Sequence, residues 1–127
     1  MKAGLTTGQT YEKAWTTTPE MGIRHLGPRV RPVLSTPAMI GLMEATSVEF
    51  LSPYMESGEQ TVGFHVDVKH LAPTPIGQTV TFKMTVREVR DRRFTLGVEA
   101  SNEQGGKIGE GTHRRALINI AQFTQDD

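Results

Sequence analysis

One segment constrains the fold more than any other. From Pro37 to about Leu51, the residues Met39, Ile40, Leu42, Met43, Val48, Phe50 and Leu51 cover most of a helical circumference. Gly41, Ala45 and Ser47 fill the rest with small surfaces. A helix that is apolar nearly all round belongs in a core rather than on a surface. No Lys or Arg occurs between Arg31 and Lys69, which agrees with a buried stretch. Thr36 is a suitable N-cap, and Pro37 enters the first turn with its φ already set. Ser52-Pro53 ends the helix, because the residue before a proline avoids the helical region.

Beyond that helix the hydrophobic period changes from helical to two. Val62, Phe64, Val66 and Val68 alternate with Gly63, His65, Asp67 and Lys69, which predicts a strand. Thr79 to Val89 alternates again, with Val80, Phe82, Met84 and Val86 on one side. A charged turn, Arg90 to Arg92, leads into Phe94, Leu96, Val98 and Ala100. Asn102-Glu103-Gln104-Gly105-Gly106 is a hairpin signal, and a last strand is expected from about Lys107 to Ile120. One more strand is expected near Tyr11 to Thr17, followed by a connection rich in Pro and Gly. The order is strand, loop, one helix, then four antiparallel strands. A single helix of this kind requires a sheet curled about it. The expected class is therefore α+β, one domain over residues 1–127, with a sheet edge that invites a second chain.

Composition narrows the function. Fourteen basic and fourteen acidic residues cancel, so no global basic field exists to hold nucleic acid or an anionic membrane. No apolar run approaches a membrane span. Without cysteine there is no disulfide, thiolate metal site or cysteine nucleophile. His25, His65 and His113 show no metal-ligand spacing, so neither a metal nor another cofactor is expected. A cytoplasmic protein is the expectation.

Four features carry chemistry. Glu44 lies mid-helix with no basic residue within a turn. It marks either a narrow exposed stripe or a desolvated carboxylate suited to base catalysis. Thr36 is explained by capping, yet a helix N-terminus also gathers N–H groups able to hold a carbonyl or oxyanion. His70 closes a strand, and parity places it with Val62, Phe64, Val66 and Val68 toward the core. A lone strand histidine is commonly only packed. Gly63 interrupts that strand and marks a close approach of ligand or backbone, while Gly109 and Gly111 mark a bulge or bend in the last strand.

Together these features form a resemblance. The runs Gly41-Leu42-Met43-Glu44 and Ser52-Pro53-Tyr54-Met55-Glu56-Ser57-Gly58-Glu59 resemble the fluoroacetyl-CoA thioesterase family. So do the stretch from Val68 to Val80, the stretch from Ile108 to Ala116, and Arg24-His25-Leu26. The resemblance runs from about Gly4 to Phe123. It implies a hot-dog fold, a long helix wrapped by a curved antiparallel sheet, paired as a homodimer with sites between protomers. It implies hydrolysis of a small acyl-CoA thioester, with Thr36, Glu44 and His70 at the family's catalytic positions. Gly63 and Arg114 fall at its substrate-contacting positions. A hydratase or dehydratase on acyl thioesters, or a non-catalytic acyl-CoA-binding module, would use the same frame. The family's segment before the helix is longer and rich in phenylalanine, forming a lid over the acyl group. Here Leu26 to Leu34 contains no aromatic residue, so selectivity for a fluorinated acyl group is not expected.

Overall fold

The computed structural model describes residues 1–125. Its elements are β1 (Thr10–Thr16), α1 (Thr36–Leu51), β2 (Glu59–His70), β3 (Thr79–Arg90), β4 (Arg93–Ser101) and β5 (Lys107–Asn119), with short 3-10 turns between or after them. The strands form one antiparallel sheet in the order β1-β3-β4-β5-β2. This is the expected α+β arrangement, with α1 laid across the inner face.

The period-two pattern built this core as predicted. Val80, Phe82, Met84 and Val86 of β3 and Phe94, Leu96, Val98 and Ala100 of β4 all point inward and are buried. They meet Met39, Leu42, Met43, Phe50 and Leu51 of α1. Each such large side chain contributes roughly 1.5–3 kcal/mol on burial. Thr46 and Ser47, buried in the same helix face, satisfy their hydroxyls on the carbonyls of Leu42 and Met43.

Two features of α1 differ from expectation. The N-cap is Ser35, not Thr36: Ser35 has extended backbone and its hydroxyl accepts from the Ala38 N–H at 3.1 Å. Two hydroxyl residues precede Pro37, and the one with non-helical φ/ψ takes the capping role. Thr36 becomes the first helical residue and its hydroxyl is left for another partner. The helix is also not buried all round. Met39, Leu42, Met43, Thr46, Ser47, Phe50 and Leu51 form the buried face, while Gly41 is exposed and Glu44, Ala45 and Val48 are only half-buried. A second, largely apolar face is therefore open.

The edge strand β2 carries a bulge. Gly63 pairs with Arg115, but the next pair is His65 with Arg114. Directly paired residues share a face of the sheet, so side-chain parity inverts at Phe64. Upstream, Thr61 and Gly63 point inward. Downstream, Val66, Val68 and His70 do. Val62 and Phe64 thus lie on the outer face and are 40% and 44% exposed. The expectation that they share a face with His70 is corrected by this one extra residue.

Candidate functional site

Two small constellations flank the open face of α1. The first joins helix and strand ends: Thr36 Oγ1 lies 2.8 Å from His70 Nδ1. His70 closes β2 at the point where β5 carries Gly109. A Cβ on Gly109 would fall 2.8 Å from the Met39 sulfur, so a larger residue there would require the Met39 side chain to shift. Burial pushes the His70 imidazole below its ordinary pKa, which keeps it neutral at pH 7. Its Nε2 is covered and unpartnered, so the pair faces solvent through the exposed Thr36.

The second constellation is Glu44, Gly63 and Arg115. A side chain on Gly63 would meet Arg115 Nη1 at 3.2 Å and Glu44 Oε2 at 3.4 Å. The glycine in the strand is explained by this close approach. Arg115 is buried, donates from Nε to Thr61 Oγ1 and from Nη2 to the Thr61 carbonyl, both at 2.9 Å. Its Nη1 has no hydrogen-bond partner and lies 3.9 Å from Glu44 Oε2. The Glu44 side chain is 47% exposed, so within the chain it lies on the exposed stripe that was one of its two alternatives. A guanidinium fixed by two bonds, with one free donor aimed beside an open carboxylate, is an arrangement for holding an oxygen of something else.

The structure does not bring Arg114 to this group. Inward residues of β5 are His113, Arg115 and Leu117, and Arg114 points to the outer face, its guanidinium 5.1 Å from the Phe64 ring. Arg93 lies at the same distance from that ring. Sequence reasoning missed Arg115, and the available signal was its parity with Leu117. His113 is also inward, fully buried, and carries an unpartnered Nε2. Burial, assisted by the charge of Arg115, pushes its pKa down to about 4. A concavity of about 480 Å³ lies on the outer face among Asp67, Lys69, Lys83, Arg87, Glu99 and Glu110 and touches none of these groups.

Thr36 and Glu44 are eight residues apart on one helix, hence about 12 Å along its axis. Within one chain the two constellations are separate.

A single long helix on a curled antiparallel sheet, with polar groups at its N-terminus and on its open face, defines a hot-dog protein. A hot-dog-like protein from Thermanaerovibrio acidaminovorans superposes with a TM-score of 0.82 at 24% identity, over 92% of this chain and 86% of that one. The chain belongs to the family of fluoroacetyl-CoA-specific thioesterases (FlK), whose match covers residues 17–121. It is 36% identical to the fluoroacetyl-CoA thioesterase of Streptantibioticus cattleyicolor, over 97% of this chain and 92% of that protein. A structure of fluoroacetyl-CoA thioesterase superposes with a TM-score of 0.87 at 35% identity, covering 95% of this chain and 93% of that one. A thioesterase superfamily member from Thermus thermophilus gives 0.85 at 31%, covering 94% and 88%.

Proposed function

We propose that this protein hydrolyses small acyl-CoA thioesters in the cytoplasm, as a homodimer whose two sites each combine halves from both chains. The observation that carries the reading is Glu44: a half-exposed carboxylate on an otherwise apolar helix face, beside a bare Gly63 and the free Nη1 of Arg115. Relatives support the substrate class. A mutant of the fluoroacetyl-CoA enzyme binds fluoroacetate and CoA, and another binds acetyl-CoA.

Geometry supports the dimer. β2 is an edge of twelve residues with Val66 left 39% exposed. A long apolar edge is a template for pairing with another strand. A two-fold axis at Asp67, with Val66 opposite Val68 and the bulged Phe64–His65 opposite Lys69, sets Gly63 of one chain opposite His70 of the other. Glu44, Gly63 and Arg115 then face the partner's Thr36 and His70, closing the gap of about 12 Å that separates them within a chain.

In that site the thioester carbonyl oxygen accepts from Arg115 Nη1. Two routes fit. In one, Glu44 takes a proton from water, the water oxygen bonds to the carbonyl carbon, and the C–S bond breaks with its electron pair on sulfur. In the other, Glu44 itself bonds to the carbon, the thiolate leaves, and water hydrolyses the resulting anhydride. In both, the partner's Thr36 hydroxyl, held by His70, donates to the sulfur as charge builds there, and the proton from water ends on the CoA thiol. The products are the free acid and CoA.

Short acyl-CoAs with a free-thiol dye test the reaction. Thiol release supports hydrolysis; a change in enoyl absorbance without thiol marks a hydratase, and binding alone marks a sensor. Mixing Glu44→Gln with His70→Ala tests the sharing. If sites are shared, statistical re-pairing of two dead homodimers restores about a quarter of parental activity, because half the dimers are mixed and each has one intact site. No recovery overturns the shared site.

A further inference from the structure

We propose that Gly41, flanked by Ile40, sets the length of acyl chain this protein accepts. The inference rests on the thioesterase reading above and names the wall of that same site. Thr36, Ile40 and Glu44 are spaced four residues apart and stack in one row along α1. Ile40 is half-buried between the two polar residues, and Gly41 beside it is exposed. Among the described residues, nothing lies within 4 Å of the place where a Gly41 side chain would begin.

Glycine is, after proline, the costliest residue for a helix interior. Gly41 has no backbone reason to be there, since its φ is not positive. It has no packing reason within the chain, since no neighbour crowds it. The space is kept for something from outside. Its position says what. A helical side chain leans over the turn N-terminal to its own Cα, so the Glu44 carboxylate stands over Ile40 and Gly41. A second observation points to the same spot for the reacting carbonyl: Arg115 is 97% buried, yet its Nη1 has no hydrogen-bond partner among the described residues and lies 3.9 Å from Glu44 Oε2. With the carbonyl oxygen on that donor, an acyl chain running toward the helix N-terminus lies on Ile40 and across the open Gly41. The matching ligand is an unbranched aliphatic acyl group, longer than one that stops at the carboxylate.

The test is the ratio of kcat/KM for butyryl-CoA and hexanoyl-CoA to that for acetyl-CoA. Gly41→Val should lower this ratio about tenfold or more, the effect of a misplaced methylene or two in a shaped apolar wall. Ile40→Ala should raise it. Gly41→Ala should raise Tm, because an exposed helix glycine is replaced in open space. A ratio within about threefold of the parent in Gly41→Val, against that expected tenfold, overturns the assignment. Loss of the dimer in Gly41→Ala also overturns it, showing that a second copy's helix fills the space. Absence of thiol release by the parent with every chain length overturns the thioesterase reading and this inference together; release with an unaltered ratio overturns this inference alone.

Discussion

Replacing His113 by leucine should remove a specific loss of stability in acid. His113 is fully buried on the inner face of β5, between Val66 of β2 and Leu96 of β4. No side-chain hydrogen bond compensates its Nε2. Its pKa falls from the ordinary 6.5 to about 4 in the folded protein, through burial first and the charge of Arg115 second. The unfolded chain therefore binds a proton below pH 6.5 that the folded chain refuses until about pH 4. Across that window the unfolded state holds more protons, so stability falls as pH falls, and the loss levels off below pH 4. The shift is worth about 3 kcal/mol in full and about 2 kcal/mol by pH 5. At pH 7 the term vanishes, and the leucine variant should be at least as stable as the parent, since an unpaired polar atom has been removed. Urea unfolding at pH 7, 6, 5 and 4, at one fixed protein concentration, provides the assay. Carboxylates, and His70 with its own depressed pKa, contribute equally to both proteins. The difference between the two curves isolates His113. Parallel curves from pH 7 to 4 would refute the reasoning, because they would mean that His113 is as easily protonated folded as unfolded.

Other outcomes follow from the same geometry. Glu44→Gln should keep its fold and oligomeric state but lose ~10²–10⁴ of turnover, the range for a positioned acid or base; turnover within threefold of the parent would refute the role. Val66→Lys puts a charge on the β2 edge, a known means of blunting strand pairing, and should yield monomers without thioesterase activity by light scattering and thiol release. Active monomers would sink the shared site. Between Leu26 and Leu34 no aromatic residue is available to seal the acyl group, and Leu26 and Val30 are themselves exposed. The ratio of kcat/KM for fluoroacetyl-CoA over acetyl-CoA, corrected for intrinsic reactivity, should stay below ~10³; a larger ratio, about 4 kcal/mol of preference, would contradict this.

Most of the fold was legible because periodicity reports burial directly. The helix and four of the strands declared themselves through it, and even the short β1 was placed to within a residue. What was not legible depends on single-residue phase. Ser35 and Thr36 are adjacent hydroxyls, and only backbone dihedrals decide which of them caps. Arg114 and Arg115 are adjacent arginines, and only the face of β5 decides which reaches Glu44. A buried arginine has no compositional mark, because the Thr61 oxygens that compensate it lie fifty-four residues away. The bulge at Phe64 had only Gly63 as a hint. The open face of α1 was misread for a related reason: an apolar residue awaiting a ligand or partner looks in sequence like one already buried.

The bulge in β2 has a further consequence. Gly63 and His70 are seven positions apart, an odd number, so on a regular strand they would face opposite sides. Only one of them could then meet residues of α1. The extra residue at Phe64 works as a phase shifter, letting one continuous strand present Gly63 and His70 on a single face. It follows that the length of this strand is under a counting rule rather than a size rule. Removing Phe64 should leave an edge strand that still pairs with β5 along its upstream half, but with His70 and Val66 turned to the outer face and Lys69 turned in. Removing two residues together downstream of the shift would preserve the phase. Inside β2, a change by one residue turns every side chain beyond it to the other face.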